Sequence, residues 1–231
     1  MAIIETPTIE TEIIDNYKAF IADKTFPCIA ARAAVAGGNI KCMVADNMAC
    51  NKDDRAILDF LYTFVDDYRI APNPFHSAAI IFKGPQEIDE ENFEILLWKR
   101  LQSFTNLDTQ NYSWDQRVSP DTASPTFSFS IKSEAFFILG LHSASSRASR
   151  RFPYPVLAFN PHQEFEKLRT AHRYEAMKEV VRKRDVLYSG SINPMLNDFG
   201  EASEASQYSG KKYNGDWHCP LVIREPEVRN Q

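Results

Sequence analysis

Three apolar stretches crowded into the middle of the chain constrain its fold more than any other feature. Residues 135–141 (AFFILGL) are continuously apolar, residues 156–159 (VLAF) are short and apolar, and residues 126–131 alternate in polarity. Runs this short, rich in β-branched and aromatic residues and bounded by turn formers, predict strands, and their proximity places them in one sheet. Residues 76–83 (HSAAIIFK), closed by Gly84 and Pro85, predict another strand.

Helical spacing fills much of the remainder. It runs through Ile13, Ile14, Tyr17, Phe20 and Ile21, then through the CIAARAAVA segment that follows Pro27 and stops at Gly37 and Gly38. It resumes at Ile57, Leu58, Leu61, Phe64 and Val65, with Asp53 or Asn51 as the cap, and again over 89–104 behind an acidic first turn. Residues 163–188 predict one long charged helix with Phe165, Leu168, Met177, Val180 and Val181 facing inward. Residues 106–123 read as a polar loop, and the tail from Gly190 has no strong period. The expected fold is α+β (or α/β): a single domain over 1–231, with a small mixed central sheet flanked by helices. At 231 residues the chain is long enough to bury a full core, and neither a repeat nor a dividing linker is present.

Composition excludes several classes. A net charge of −5 and a pI near 5.6 argue against a duplex nucleic-acid binder. The N-terminal segment carries acids where an export signal carries basic residues, and no apolar run approaches the roughly 20 residues of a membrane span. Cys28, Cys42, Cys50 and Cys219 fit neither a zinc spacing nor a disulfide framework, so a cytoplasmic protein is expected. No G-x-G-x-x-G, P-loop, H-E-x-x-H or G-x-S-x-G sequence occurs.

The chemistry concentrates between Gly140 and Arg169. His142 closes one predicted strand and His162 another, and strand ends are where surface chemistry is usually placed. Arg147, Arg150 and Arg151 stand within a few residues of His142, fork-shaped cations suited to a carboxylate, phosphate or haem propionate. Arg147 and Arg151 share a face if their segment is helical. A plain antiparallel pair puts the two histidines at opposite ends; a crossover puts them on one rim. One axial ligand is therefore expected, His142 first and His162 second. Cys28, near a predicted helix start, is a further ligand candidate, with Cys219 behind it. Asp198, Glu201 and Glu204 are candidate acceptors for a cationic substrate. Against each stands a plainer role: a lone histidine or cysteine is more often structural, and a serine and arginine loop is more often solvated.

Five blocks in one order carry a resemblance: F-P-C-I-A-A-R-A-A from Phe26, G-L-H-S-A-S-S-R-A-S-R-R-F from Gly140, F-N-P-H-Q-E-F-E-K-L-R from Phe159, N-P-M-L-N-D-F-G from Asn193 and W-H-C-P-L from Trp217. Together they resemble the YqcI/YcgG family across most of the chain. The pattern covers Cys28, His142, Arg147, Arg150, Arg151, His162, Gln163, Phe165, Glu166, Asn193, Asp198 and Cys219. Ser143 stands where proline is usual, and Leu221 where phenylalanine often follows C-P.

The resemblance implies a haem-dependent N-oxygenase that hydroxylates a guanidino or amino nitrogen of an arginine-like amino acid. On this reading haem b is the cofactor, held among His142, His162, Arg147, Arg150, Arg151 and Cys28, with Glu166 and Asp198 as the catalytic pair. Oxygen and an external reductase or electron carrier complete the reaction, because the chain has no flavin or nicotinamide fingerprint. Neither nucleic acid nor membrane is an expected partner, and a homodimer is left open. The alternative is a haem-binding or haem-sensing protein without oxygenase activity.

Overall fold

The computed structural model describes residues 8–71, 74–193, 195, 199–213 and 217–224. Five strands form one mixed sheet in the order β1-β2-β5-β4-β3: β1 Ile40–Asn47, β2 Ser77–Gly84, β3 Phe129–Ile131, β4 Glu134–Leu141 and β5 Val156–Pro161. Only β1 and β2 run parallel, joined through helix α3 (Asp54–Ile70); the other neighbouring pairs are antiparallel. The fold is α+β, with α1 (Ile9–Ala22), α2 (Ile29–Ala36), α4 (Glu90–Asp108), α5 (His162–Thr170) and α6 (Tyr174–Ser189) around the sheet.

Period-two alternation divides β2 between two cores. Ala78, Ile80 and Phe82 face Ile57, Leu58 and Leu61 of α3 and Phe93, Leu97 and Leu101 of α4. Ala79 and Ile81 face Ile13, Tyr17 and Ile21 of α1 and Ala34 of α2. α1 and α4 begin where the sequence provides an acceptor: Thr8 accepts from Thr11 N–H, and Asp89 from Asn92 N–H at 2.7 Å. Asp53 makes no cap bond; its carboxylate accepts instead from Asp46 N–H at 2.8 Å, tying α3 to β1.

Several expectations need correction. Residues 40–47 form an edge strand that the sequence pattern does not announce, since Cys42, Met43 and Val44 are all half-buried and the alternation is blurred. The long helix expected over 163–188 is two helices, broken at Ala171 to Arg173 where His172 takes φ 53°. No glycine or proline marks that break. α6 buries none of its described residues, so Met177, Val180 and Val181 are not core positions. α4 runs on to Asp108, into the segment expected to be loop. The serine and arginine segment folds as a single 3-10 turn, Ala148–Arg150, with Arg147 and Arg151 as its flanking caps and no shared helical face.

The β3–β4 hairpin turns on Lys132 and Ser133, at φ 52° and 54°. A two-residue turn with both φ positive matches the right-handed twist of its strands but usually carries Asn or Gly. Here neighbours hold it: Asp108 accepts from Lys132 N–H at 3.0 Å, and Arg69 Nη2 donates to the carbonyls of Lys132 and Ser133.

Candidate functional site

The antiparallel register decides where the histidines go. Phe136 pairs with Pro161 and Leu141 with Val156, so His142 and His162 leave opposite ends of the β4–β5 ladder, separated by on the order of 20 Å. One cofactor cannot bridge them.

His142 follows Ile138 and Gly140 onto the face that α4 covers. Its ring stacks on Phe93 at 4.4 Å and 21°, and it is buried, with Nδ1 lacking a partner. Gly140 makes room for this packing: a Cβ there would lie 2.6 Å from Phe93 Cε1 and 3.0 Å from Leu97 Cδ1. Burial lowers the His142 pKa, opposed by the Ile88 backbone, and keeps the ring neutral.

His162 is the first residue of α5 and lies at a cavity of about 220 Å³ lined by Arg117, Ala135, His162, Gln163, Glu166 and Phe199. The helical i, i+4 spacing brings Glu166 Oε1 to 3.3 Å from His162 Nε2, and Arg169 pairs with the same carboxylate oxygen. Phe199 packs on the imidazole at 4.3 Å. Burial lowers the His162 pKa, with the Glu166 carboxylate pulling the other way, so the ring is neutral with a negative partner at Nε2.

Arg117 forms the opposite wall. Its Nε and Nη2 bind both oxygens of Asp115, and Nη2 donates to Glu134 Oε1 at 2.7 Å. Burial resists ionisation of Asp115, but the Arg117 hydrogen bonds overcome it and hold its carboxyl below the usual range. Asp115 also accepts from Ala135 N–H at 2.9 Å, anchoring the guanidinium to the start of β4.

The remaining candidates lie elsewhere. Arg147 Nη2 pairs with Asp185 of α6 and donates to the Ser191 carbonyl at 2.9 Å. Arg150 Nη1 donates to the Tyr208 carbonyl at 3.0 Å, and Arg151 Nε to the Ser145 carbonyl at 3.0 Å. All three stand at the His142 end of the ladder. Cys28 caps α2, its Sγ accepting from Ala31 N–H at 3.4 Å, and burial raises its pKa, so it is a neutral thiol and not a dipole-stabilised thiolate. Asp198 lies outside the described residues. Glu204 is buried, with Oε1 accepting from Ser128 Oγ at 2.7 Å and Tyr208 Oη at 2.6 Å; burial pushes its pKa up to about 8, and it presents no charge to a cation. Arg117 is the residue that sequence reasoning missed, hidden in a polar stretch; its only local signal is the D-Q-R spacing to Asp115.

The YqcI/YcgG family model matches residues 17–222. The chain belongs to the YqcI/YcgG family. It is 28% identical over 209 residues to a Bacillus subtilis (strain 168) protein named Uncharacterized protein YqcI, covering 87% of this chain and 77% of the relative. It is 25% identical over 183 residues to Uncharacterized protein YcgG of the same organism, covering 76% of this chain and 71% of the relative. No solved structure matches.

The donor set at the His162 end fits an axial haem ligand. A ligating histidine usually gives its second ring nitrogen to a carboxylate, and Glu166 Oε1 lies 3.3 Å from His162 Nε2. Phe199 gives an apolar wall, while the Arg117 charge is met by Asp115 and Glu134. At about 220 Å³ the cavity is smaller than the roughly 300 Å³ at the lower end of ligand pockets, so a macrocycle would need it wider. Among the described residues no three His, Cys, Asp or Glu side chains converge as a metal-holding group, and no described helix is long and apolar enough to cross a membrane.

Proposed function

We propose that this chain is a haem-dependent N-oxygenase acting on a guanidino or amino nitrogen of an arginine-like amino acid, with His162 as the residue that would hold the iron. One observation carries the reading. His162, Gln163 and Glu166 of the F-N-P-H-Q-E-F-E block and Phe199 of the N-P-M-L-N-D-F-G block, far apart in sequence, line one cavity with Arg117. His162 replaces His142 as first choice because His162 lines a cavity, whereas His142 is buried against Phe93.

Bound haem supplies oxygen activation and oxygen transfer to nitrogen. The chain's own residues set the conditions. Glu166, 3.3 Å from His162 Nε2, would orient the imidazole and raise its basicity. Arg117, whose Nε and Nη2 are taken by Asp115 and Glu134, would have only Nη1 to offer a carboxylate of a cofactor or substrate. Two electrons come from an external reductase or small carrier.

The test is turnover by the full chain loaded with haemin, given oxygen, a chemical reductant and arginine, and assayed by mass spectrometry for a product heavier by one oxygen atom. Arginine or a related amine gaining that oxygen supports the reading. A chain that takes up haem but turns over no amine supports the haem-sensing alternative, and a chain that takes up none overturns both.

A further inference from the structure

One face of α4 looks onto the segment that follows Gly210, and a cavity of about 560 Å³ lies between them. Glu94, Ile95, Trp98, Lys99 and Gln102 form its α4 wall, positions that share a face at helical spacing, and Lys211 and Pro220 form the other. Polar bonds hold the two walls together at both ends. Glu94 Oε1 accepts from Tyr213 Oη at 2.6 Å and from Trp217 Nε1 at 2.8 Å, and Lys211 pairs with Glu94 Oε2 at 3.2 Å. Two turns on, the Gln102 amide donates to the Val222 carbonyl and accepts from the Val222 N–H, each at 2.8 Å. Ile95, Trp98 and Lys99 lie between these two attachments.

Within that span the wall is largely apolar and one donor is left over. Ile95 is 50% exposed. Trp98 is buried, flanked by the rings of Tyr208 and Trp217 at 5.8 Å, and its Nε1 has no acceptor among the described residues. A buried indole N–H ordinarily finds a partner, as that of Trp217 does at Glu94. The charges on the rim are unevenly matched. Lys211 engages both Glu91 and Glu94, whereas Lys99, exposed on the α4 wall, makes no ion pair among the described residues.

An unmet indole N–H and an unmatched ammonium beside an apolar wall suit a ligand that brings an acceptor, a negative charge and an apolar body. The volume falls within the roughly 300–1,000 Å³ of small-molecule pockets. We infer that the cavity between α4 and the segment following Gly210 binds a small apolar carboxylate, with Ile95 and Pro220 against its body and Trp98 Nε1 and Lys99 as donors to its acid. The site shares no lining residue with the His162 cavity and stands whether or not that cavity holds haem.

The experiment is isothermal titration calorimetry of the full chain with phenylpropionate and hexanoate, against the uncharged phenylpropanamide and the cationic phenethylamine, repeated on Lys99→Glu and Trp98→Phe. Lys99→Glu alters an exposed position and keeps a reading available if Trp98→Phe does not fold. Saturable binding of either acid, about tenfold tighter than the amide or the amine and weakened about tenfold by each folded variant, supports the site; tenfold is about 1.4 kcal/mol, near the least expected of a hydrogen bond to a charged group. The tighter of the two acids names the body as aromatic or aliphatic. Failure of both acids to bind saturably, an amide or amine that binds as tightly as the acids, or an affinity unchanged in either folded variant overturns it.

Discussion

Glu204→Gln isolates one buried carboxyl whose pKa burial raises. Ser128 and Tyr208 both donate to Glu204 Oε1, so that oxygen behaves as a carbonyl and the proton resides on Oε2. Burial raises its pKa from an ordinary 4.5 to about 8. Between those values the folded chain binds a proton that the unfolded chain has released. Stability is therefore fully present below about pH 4.5, falls as pH rises and is lost above about pH 8. At about 1.4 kcal/mol per pH unit the total is on the order of 5 kcal/mol, a large share of the roughly 5–15 kcal/mol that holds a domain folded. Glutamine keeps the Oε1 acceptor and cannot ionise, so the variant lacks this dependence while sharing every other titration. Urea unfolding of both proteins across that pH range should show the wild type losing about 5 kcal/mol relative to Glu204→Gln as pH rises. Parallel profiles refute the assignment of a buried, protonated carboxyl.

Three further outcomes follow from the same geometry. Glu166→Gln removes the charge that supports protonation of His162 and should lower the His162 midpoint in an NMR titration; an unchanged or raised midpoint contradicts the contact. Gly140→Ala drives a methyl into Phe93 and Leu97 and should cost about 1–3 kcal/mol in denaturant unfolding; a neutral result means the β4–α4 contact is looser than described. Cys50, the exposed thiol, should react with a thiol reagent well before Cys28, whose pKa burial raises, and the reverse order contradicts that burial.

Much of the sheet is legible in the sequence because β2, β4 and β5 carry apolar runs that only a strand of that length accommodates. β1 is not, since its half-buried positions depend on α1 and α2 covering one face. The α5–α6 break is hidden because His172 takes positive φ with no glycine to announce it. At the candidate site the His162–Glu166 pair is legible from its i, i+4 spacing. Arg117 is not, because long-range folding brings residues 115–117 against β4. The arginines beside His142 looked like neighbours of an axial ligand; antiparallel pairing separates them from His162 and leaves them bonded to Asp185 and to backbone carbonyls.

The absorption spectrum of the haemin-loaded wild type, compared with His162→Ala and His142→Ala, tests the central claim most directly. Loss of the ligated Soret band in His162→Ala, with His142→Ala retaining it, is the predicted result. A Soret band unchanged in His162→Ala, or lost only in His142→Ala, contradicts the account.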